Sequence, residues 1–333
     1  MVSGSSHITV IGGGPAGCAA ALAALSEGSA VTLYEKSRFP RHKVCGEFLS
    51  PELVPALESL GLWSGFLAAG PARIRRAVLH LGTHPKRFML PEPAYSLSRY
   101  ALDHLLQREA ILRGAGLRVE AAKPAQAPTV LAHGRQATAR AGERLFGFKA
   151  HFHGPVDDAV ELFFFRGCYV GVSSVEKQVT NVCGLAPERL LQGCGFAPEA
   201  LFTEPLRDRV APLERAMAWL FSGPLVFHDE FKSRTSVYLA GDALGFVDPF
   251  TGSGMLAALL TGRLAGQAAA RGRSVEEHQA ACRRVLGRQY SVASLLRQLL
   301  GAGLAEKLAA FVPGRMLYRM TRPVTRIRPV AVA

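Results

Sequence analysis

Three glycines at fixed spacing, Gly12, Gly14 and Gly17, are residues that could hold a phosphate. The first makes a tight turn. The second lets a backbone approach a pyrophosphate, and the third lets a helix pack closely on a strand. Pro15 and Ala16 lie between them and are expected to belong to the same cofactor-binding turn. Glu35 stands 18 residues after Gly17, where an acid can bond a ribose 2′-hydroxyl, and Lys36 follows it. A second group of residues with the same capacity lies far along the chain: Gly241-Asp242, then Pro249, Gly252, Ser253, Gly254 and Met255. Asp242 could bond a ribityl or ribose hydroxyl. Gly252 and Gly254 carry no side chains, so a flat ring could approach their backbone. A helix starting there would stabilise negative charge on that ring.

The flanking elements are those such residues require. His7–Ile11 is a short β-branched run that reads as a buried strand. Cys18–Leu25 is rich in strong helix formers, and Gly28 marks its stop. Residues 30–34 read as a second strand ending at Glu35. Residues 236–240 read as another strand, and a helix is expected from about Leu256 to Ala270. Strand, glycine turn, helix and second strand with a terminal acid form a dinucleotide fingerprint that does not by itself separate FAD from NAD.

Gly241 to Gly254 matches the pattern GDA-x-G-x-x-x-P-x-x-G-x-G without a gap. On that segment the chain resembles the FAD-dependent oxidoreductases that include geranylgeranyl reductases and single-component aromatic hydroxylases. Arg41-His-Lys-Val-Cys45-Gly46 resembles the K-x-C-G segment of the reductase branch, and Ser98-Arg99 through Leu106 resembles its S-R-x-x-x-D-x-x-L helix. The resemblance implies FAD, with the loop Pro249–Gly254 beside the isoalloxazine and Asp242 on the cofactor. It implies that Arg41, Cys45, Gly46 and Arg99 lie near FAD. Arg99 can also be read as one half of an ordinary surface pair with Asp103 at i+4. His133 stands where an Asp tied to NAD(P)H handling is usual, and Tyr169 alone remains of the reductases' Y-x-W-x-F-P element.

Residues 75–97 and 146–186 alternate and suggest consecutive antiparallel strands. Most of Phe146, Phe148, Phe152 and Phe163–Phe165 are expected to bury that sheet against helices. Lys149, His151 and His153 share one face by alternation and are expected to form a polar, solvent-facing stripe.

The six cysteines form no CxxC and no zinc spacing, so no metal site is expected. No Lys or Arg precedes Lys36, which argues against a secretory signal over residues 8–25 and for a cytoplasmic protein. Residues 271–333 carry twelve Arg or Lys and three Glu, a net +9 of the total +13. A capping box, Ser274-x-x-Glu277, opens an amphipathic basic segment there that could meet an anionic membrane surface. Nucleic acid is disfavoured, because no recognition motif is present.

The expected fold is α/β. A Rossmann-like FAD domain of the glutathione-reductase type is built from residues 1–75, 96–140 and 230–272. An antiparallel or mixed substrate sheet comes from residues 76–95 and 141–229, followed by a basic helical segment over 273–333. The expected activity is FAD-dependent hydroxylation of a hydrophobic small molecule through a peroxyflavin, with NADPH or NADH as external reductant. Reduction of an isoprenoid-like double bond is the alternative, with Cys45 and Tyr169 as candidate proton donors. A flavin-bearing electron carrier or binding protein is a third reading.

Overall fold

The computed structural model describes residues 6–81, 85–123, 128–135, 144–229, 231, 236–246 and 252–301. The chain opens with β1 (His7–Ile11), α1 (Pro15–Ser26), β2 (Ala30–Tyr34) and β3 (Phe48–Leu49). It continues with α2 (Leu53–Ser59), α3 (Trp63–Ala68), β4 (Ala72–His80), β5 (Lys86–Ser96) and α4 (Arg99–Leu112). Next come β6 (Gly116–Arg118), β7 (Thr129–Leu131), β8 (Leu145–His153), β9 (Ala159–Phe165), β10 (Cys168–Ser174) and β11 (Val179–Pro187). Then follow α5 (Glu188–Gly193), α6 (Glu204–Val210), β12 (Glu214–Arg215), β13 (Leu220–Leu225) and β14 (His228–Asp229). The last elements are β15 (Tyr238–Leu239), β16 (Gly245–Phe246), α7 (Gly254–Ala270) and α8 (Val275–Gly301).

Two sheets organise the molecule. The first is parallel, in the order β15-β7-β1-β2-β6. Its strands come from separated segments, so the Rossmann-like layer is discontinuous in sequence. A parallel sheet needs crossovers with apolar faces. α1 supplies one and is buried along most of its length. Its small side chains let α7 approach very closely. A Cβ on Gly262 would lie 2.1 Å from the Ala16 carbonyl oxygen, and one on Gly266 would lie 2.1 Å from that of Ala20.

The second sheet is mixed, in the order β12-β8-β11-β10-β9-β4-β5-β3, with β13 also on β8. Among the described residues, only β4–β9 is a parallel pair within it. Register settles which residues share a face. Phe148, Phe152, Phe163, Val170 and Val182 meet Leu191 of α5 and Leu206 of α6 in one core. The alternate residues of the same strands face the other way, toward the segment after β2.

The capping box forms as expected. The Ser274 N–H donates to Glu277 Oε2 at 2.8 Å, and the Glu277 N–H to Ser274 Oγ at 3.2 Å. α8 is anchored on the segment after β15, where Tyr290 donates to the Gly245 carbonyl at 2.9 Å. No helix among the described residues is long and apolar enough to cross a membrane, and no group of three or more metal-ligating side chains is assembled among them.

Candidate cofactor and substrate site

The glycine turn has the geometry that its spacing predicts. Gly12 has φ +110°, and a Cβ there would lie 2.3 Å from the Ala132 carbonyl oxygen. A Cβ on Gly17 would lie 1.7 Å from the Gly12 carbonyl oxygen. Gly14 leads into α1, Pro15 occupies its first turn, and no side chain caps the helix. Its first N–H groups therefore remain available to an anion. Two cations stand over the same turn: the Cβ position of Gly14 lies 3.8 Å from Lys43 Nζ and 3.9 Å from Arg99 Nη2.

Asp103 holds both cations there. Its carboxylate accepts from Arg99 Nε at 2.6 Å, Arg99 Nη2 at 2.8 Å and Lys43 Nζ at 2.8 Å. Burial would push this carboxyl up, but Arg99 and Lys43 outweigh it and hold Asp103 below the usual carboxylate range. Burial pulls Lys43 below its ordinary value, with Asp103 opposing. The i,i+4 pair of Arg99 and Asp103 thus exists, but as a correction it is a buried pair and not a surface one.

Glu35 is tied into the same loop. Its Oε2 accepts the Gly13 N–H at 2.8 Å, its Oε1 accepts the Ser37 N–H at 3.0 Å, and Arg41 approaches to 3.7 Å. Lys36 is exposed. From the far end of the chain, Gly241 (φ +61°) packs on α1, where a Cβ would meet that of Ala16 at 2.8 Å. Its N–H donates to Thr261 Oγ1 at 2.8 Å. This contact delivers Asp242, 3.6 Å from Arg135, to the edge of the cradle. Burial pushes the Asp242 carboxyl up, while Arg135, Arg99, His228 and Lys43 pull it down. Gly252 has φ +65°, Ser253 precedes α7, and Gly254 and Met255 form its first turn, which again has no side-chain cap. Pro249 lies outside the described residues. An uncapped helix end beneath two cations, with carboxylates at both flanks, fits a dinucleotide diphosphate and its polyol.

The second sheet turns one face toward this cradle. Across β8, β11 and β10 the rows run His151–Asn181–Ser173, Lys149–Cys183–Gly171 and Gly147–Leu185–Tyr169. Asn181 Nδ2 donates to the Cys45 carbonyl at 3.1 Å. The Cys183 thiol, pushed up by burial, feels Cys45 as a neighbour. Tyr169 is on this face, one row beyond Cys183, with its ring 6.0 Å from that of Phe164. Cys45 is partly exposed, and Gly46 beside it is open to solvent.

The solvent-facing stripe expected of Lys149, His151 and His153 is corrected here. Lys149 and His151 are buried, and both bind the carboxylate of buried Glu47; His153 alone is exposed. Alternation correctly put the three on one face. That face, however, is covered by the segment 43–49, and alternation carries no information about what covers a face. The sequence does not single out Lys43, Glu47, Arg135 or Asn181 as site residues, and it marks Asp103 only as the i+4 partner of Arg99. Asp103 and Lys43 sat inside recognised segments. The pairing of Glu47 with Lys149, 102 residues away, left no local signal.

The family model described as "Glucose inhibited division protein A" matches residues 7–61. A curated menaquinone reductase of Mycobacterium tuberculosis (strain CDC 1551 / Oshkosh) is 44% identical over 61 residues, 18% of this chain. The chain thus spans only 15% of that relative's length. Over nearly the whole chain the likeness is structural. The flavin-dependent brominase Bmp2 superposes with a TM-score of 0.76 at 18% identity, covering 95% of this chain and 93% of that one. A geranylgeranyl bacteriochlorophyll reductase-like protein from Thermoplasma acidophilum gives 0.69 at 15%, covering 96% and 92%.

Proposed function

We propose that this chain, which has the fold of the FAD-dependent oxidoreductases, binds FAD along the glycine turn and oxidises a hydrophobic small molecule. The observation that carries the reading is the uncapped start of α1 lying directly beneath Lys43 and Arg99, with Asp103 orienting both. Fixed cations and free N–H groups converging on one point are wasted on anything but a diphosphate-like anion. Gly12, Gly14, Pro15, Ala16 and Gly17 form the floor of that site, and Glu35 takes the ribose. Asp242 and the start of α7 take the ribityl chain and ring.

FAD supplies the electron chemistry when bound. The protein orients it and excludes water. The sheet face carrying Gly171, Cys183 and Leu185 covers the substrate. Gly171 keeps that face shallow, since a Cβ there would lie 3.3 Å from Leu162 Cδ2. Hydroxylation with NADPH or NADH as reductant is the first reading, supported by the near full-length likeness to a flavin-dependent brominase. Reduction of a double bond or quinone is the second, supported by the partly exposed Cys45–Gly46 turn and by the likeness to a menaquinone reductase.

The test is to purify the protein, reconstitute it with FAD and follow NADPH and oxygen with a panel of aromatic, polyketide-like and isoprenoid substrates. Oxygen uptake in step with NADPH, dependent on substrate, is the expected outcome. Anaerobic turnover would shift the assignment to reduction. A protein that takes up no FAD would end both readings.

A further inference from the structure

Glu47 is held at every polar group it owns, and one of those bonds goes to the backbone of Arg99, whose side chain stands over the glycine turn. Its N–H donates to Cys45 Sγ at 3.4 Å, and its carbonyl accepts the Leu97 N–H at 3.2 Å. Its Oε1 accepts the Arg99 N–H at 2.6 Å and also binds Lys149 Nζ, while Oε2 meets His151 Nε2 at 2.7 Å. The side chain is fully buried, and the backbone sits at φ 56°, a conformation that side-chain-bearing residues rarely adopt. Burying a carboxylate, an ammonium and an imidazole together is seldom the most stable way to fill such a volume. The same volume filled by apolar side chains would hold the sheet as well. What the ionic cluster adds is directional: it joins the turn 43–47 to β8 on one side and to the first turn of α4 on the other.

We propose that Glu47 is a positioning residue that sets the Cys45–Gly46 turn and the Arg99 end of α4 against the bound flavin. The proposal rests on the flavoenzyme reading for its purpose, but its geometry is testable without cofactor. If Glu47 is the clamp, releasing it frees the Cys45 sulfur that its own N–H contacts. Lys149 and His151 act through Glu47, with His42 packed edge-on against His151 at a ring separation of 5.0 Å.

The experiment is site-resolved alkylation of the full-length apoprotein by iodoacetamide, read by peptide mass spectrometry at each cysteine. Two variants are compared with the native chain. Glu47→Gly keeps the left-handed backbone without strain and deletes the carboxylate. Glu47→Gln keeps size and an acceptor for the Arg99 N–H. Cys45 is expected to react about tenfold faster in Glu47→Gly and to a smaller degree in Glu47→Gln, as local opening becomes easier. The buried Cys168 and Cys282 should stay unreactive in both. Reconstituted Glu47→Gln should also show a shifted flavin absorption band. Unaltered Cys45 reactivity in both variants would overturn the proposal. So would uniform exposure of all cysteines in both, which would make Glu47 a support of the whole fold. Failure of the native chain to bind FAD would end the functional reading while leaving the alkylation result interpretable.

Discussion

Two buried carboxylates hold the candidate site together. Asp103 aims Lys43 and Arg99, and Glu47 anchors the neighbouring turn. Removing the charge of one partner in a buried ion cluster leaves the others uncompensated, at a cost of about 3 kcal/mol. Asp103→Asn should therefore lower unfolding stability by about that amount, and FAD affinity by at least about tenfold, since its cations lose their aim. Denaturant titration and flavin fluorescence measure the two effects. The pH dependence follows from the same groups. Both carboxyls lie below their ordinary range in the folded protein. For Glu47, burial alone would raise the carboxyl, and His151 and Lys149 reverse the direction. A depressed carboxyl contributes stability that is present above its unfolded value, about pH 4, and is lost as pH falls through the folded value. The urea midpoint should thus drop as pH is lowered below that point, with a shallower drop in Asp103→Asn. Much of this was legible locally: Arg99 and Asp103 are four residues apart on a helix. The part that was not, Glu47 with Lys149 and His151, joins positions more than a hundred residues apart and depends on how segment 43–49 packs on the face of β8.

Among the elements, the close crossing of α1 and α7 decides whether the two glycine segments meet. Its contact is made of backbone: Gly262 and Gly266 lie against the carbonyls of Ala16 and Ala20, and Gly241 lies against Ala16 itself. Gly266→Val should force the helices apart. Overpacking typically costs about 1–3 kcal/mol, and a clash with backbone belongs at the upper end. Because Asp242 rides on the same contact, FAD retention should fall together with the melting temperature. Gly17→Ala tests the strand side of α1, where the added carbon would overlap the Gly12 carbonyl. It should abolish FAD retention even at low temperature. A variant that melts like the native chain and keeps its flavin would contradict this account of the crossing. The glycine turn, the helix after it and the capping box of α8 were readable because each depends on residues within one turn of one another. The exact start of α7, at Gly254 and not near Leu256, was not, because a helix end without a side-chain cap leaves no distinctive residue to mark it.

In the whole molecule, the parallel sheet carries the glycine turn, and one face of the mixed sheet is covered by segment 43–49. β3 of that segment pairs with β5, so a stretch that begins in the glycine-turn layer ends in the covering sheet. The charge of the chain is also a whole-molecule property, with net +9 over residues 271–333. The proposal that this region meets an anionic lipid surface predicts flotation of the full chain with phosphatidylglycerol vesicles at low salt. Binding should be lost at about 0.5 M salt, where screening shortens the reach of surface charge to a few ångströms. Absence of flotation at low salt would remove the membrane role.

The strand and glycine turn at the start of the chain, the second glycine segment and the capping box of α8 are written in the sequence. Each is a short-range pattern in which backbone stereochemistry leaves few alternatives. The sequence also determined that Lys149 and His151 share a face. Only the tertiary structure decided that this face is interior, that Asp103 serves two cations and that Glu47 closes the cluster. A strand's alternation has two solutions related by turning the sheet over, and only the packing of distant segments selects one.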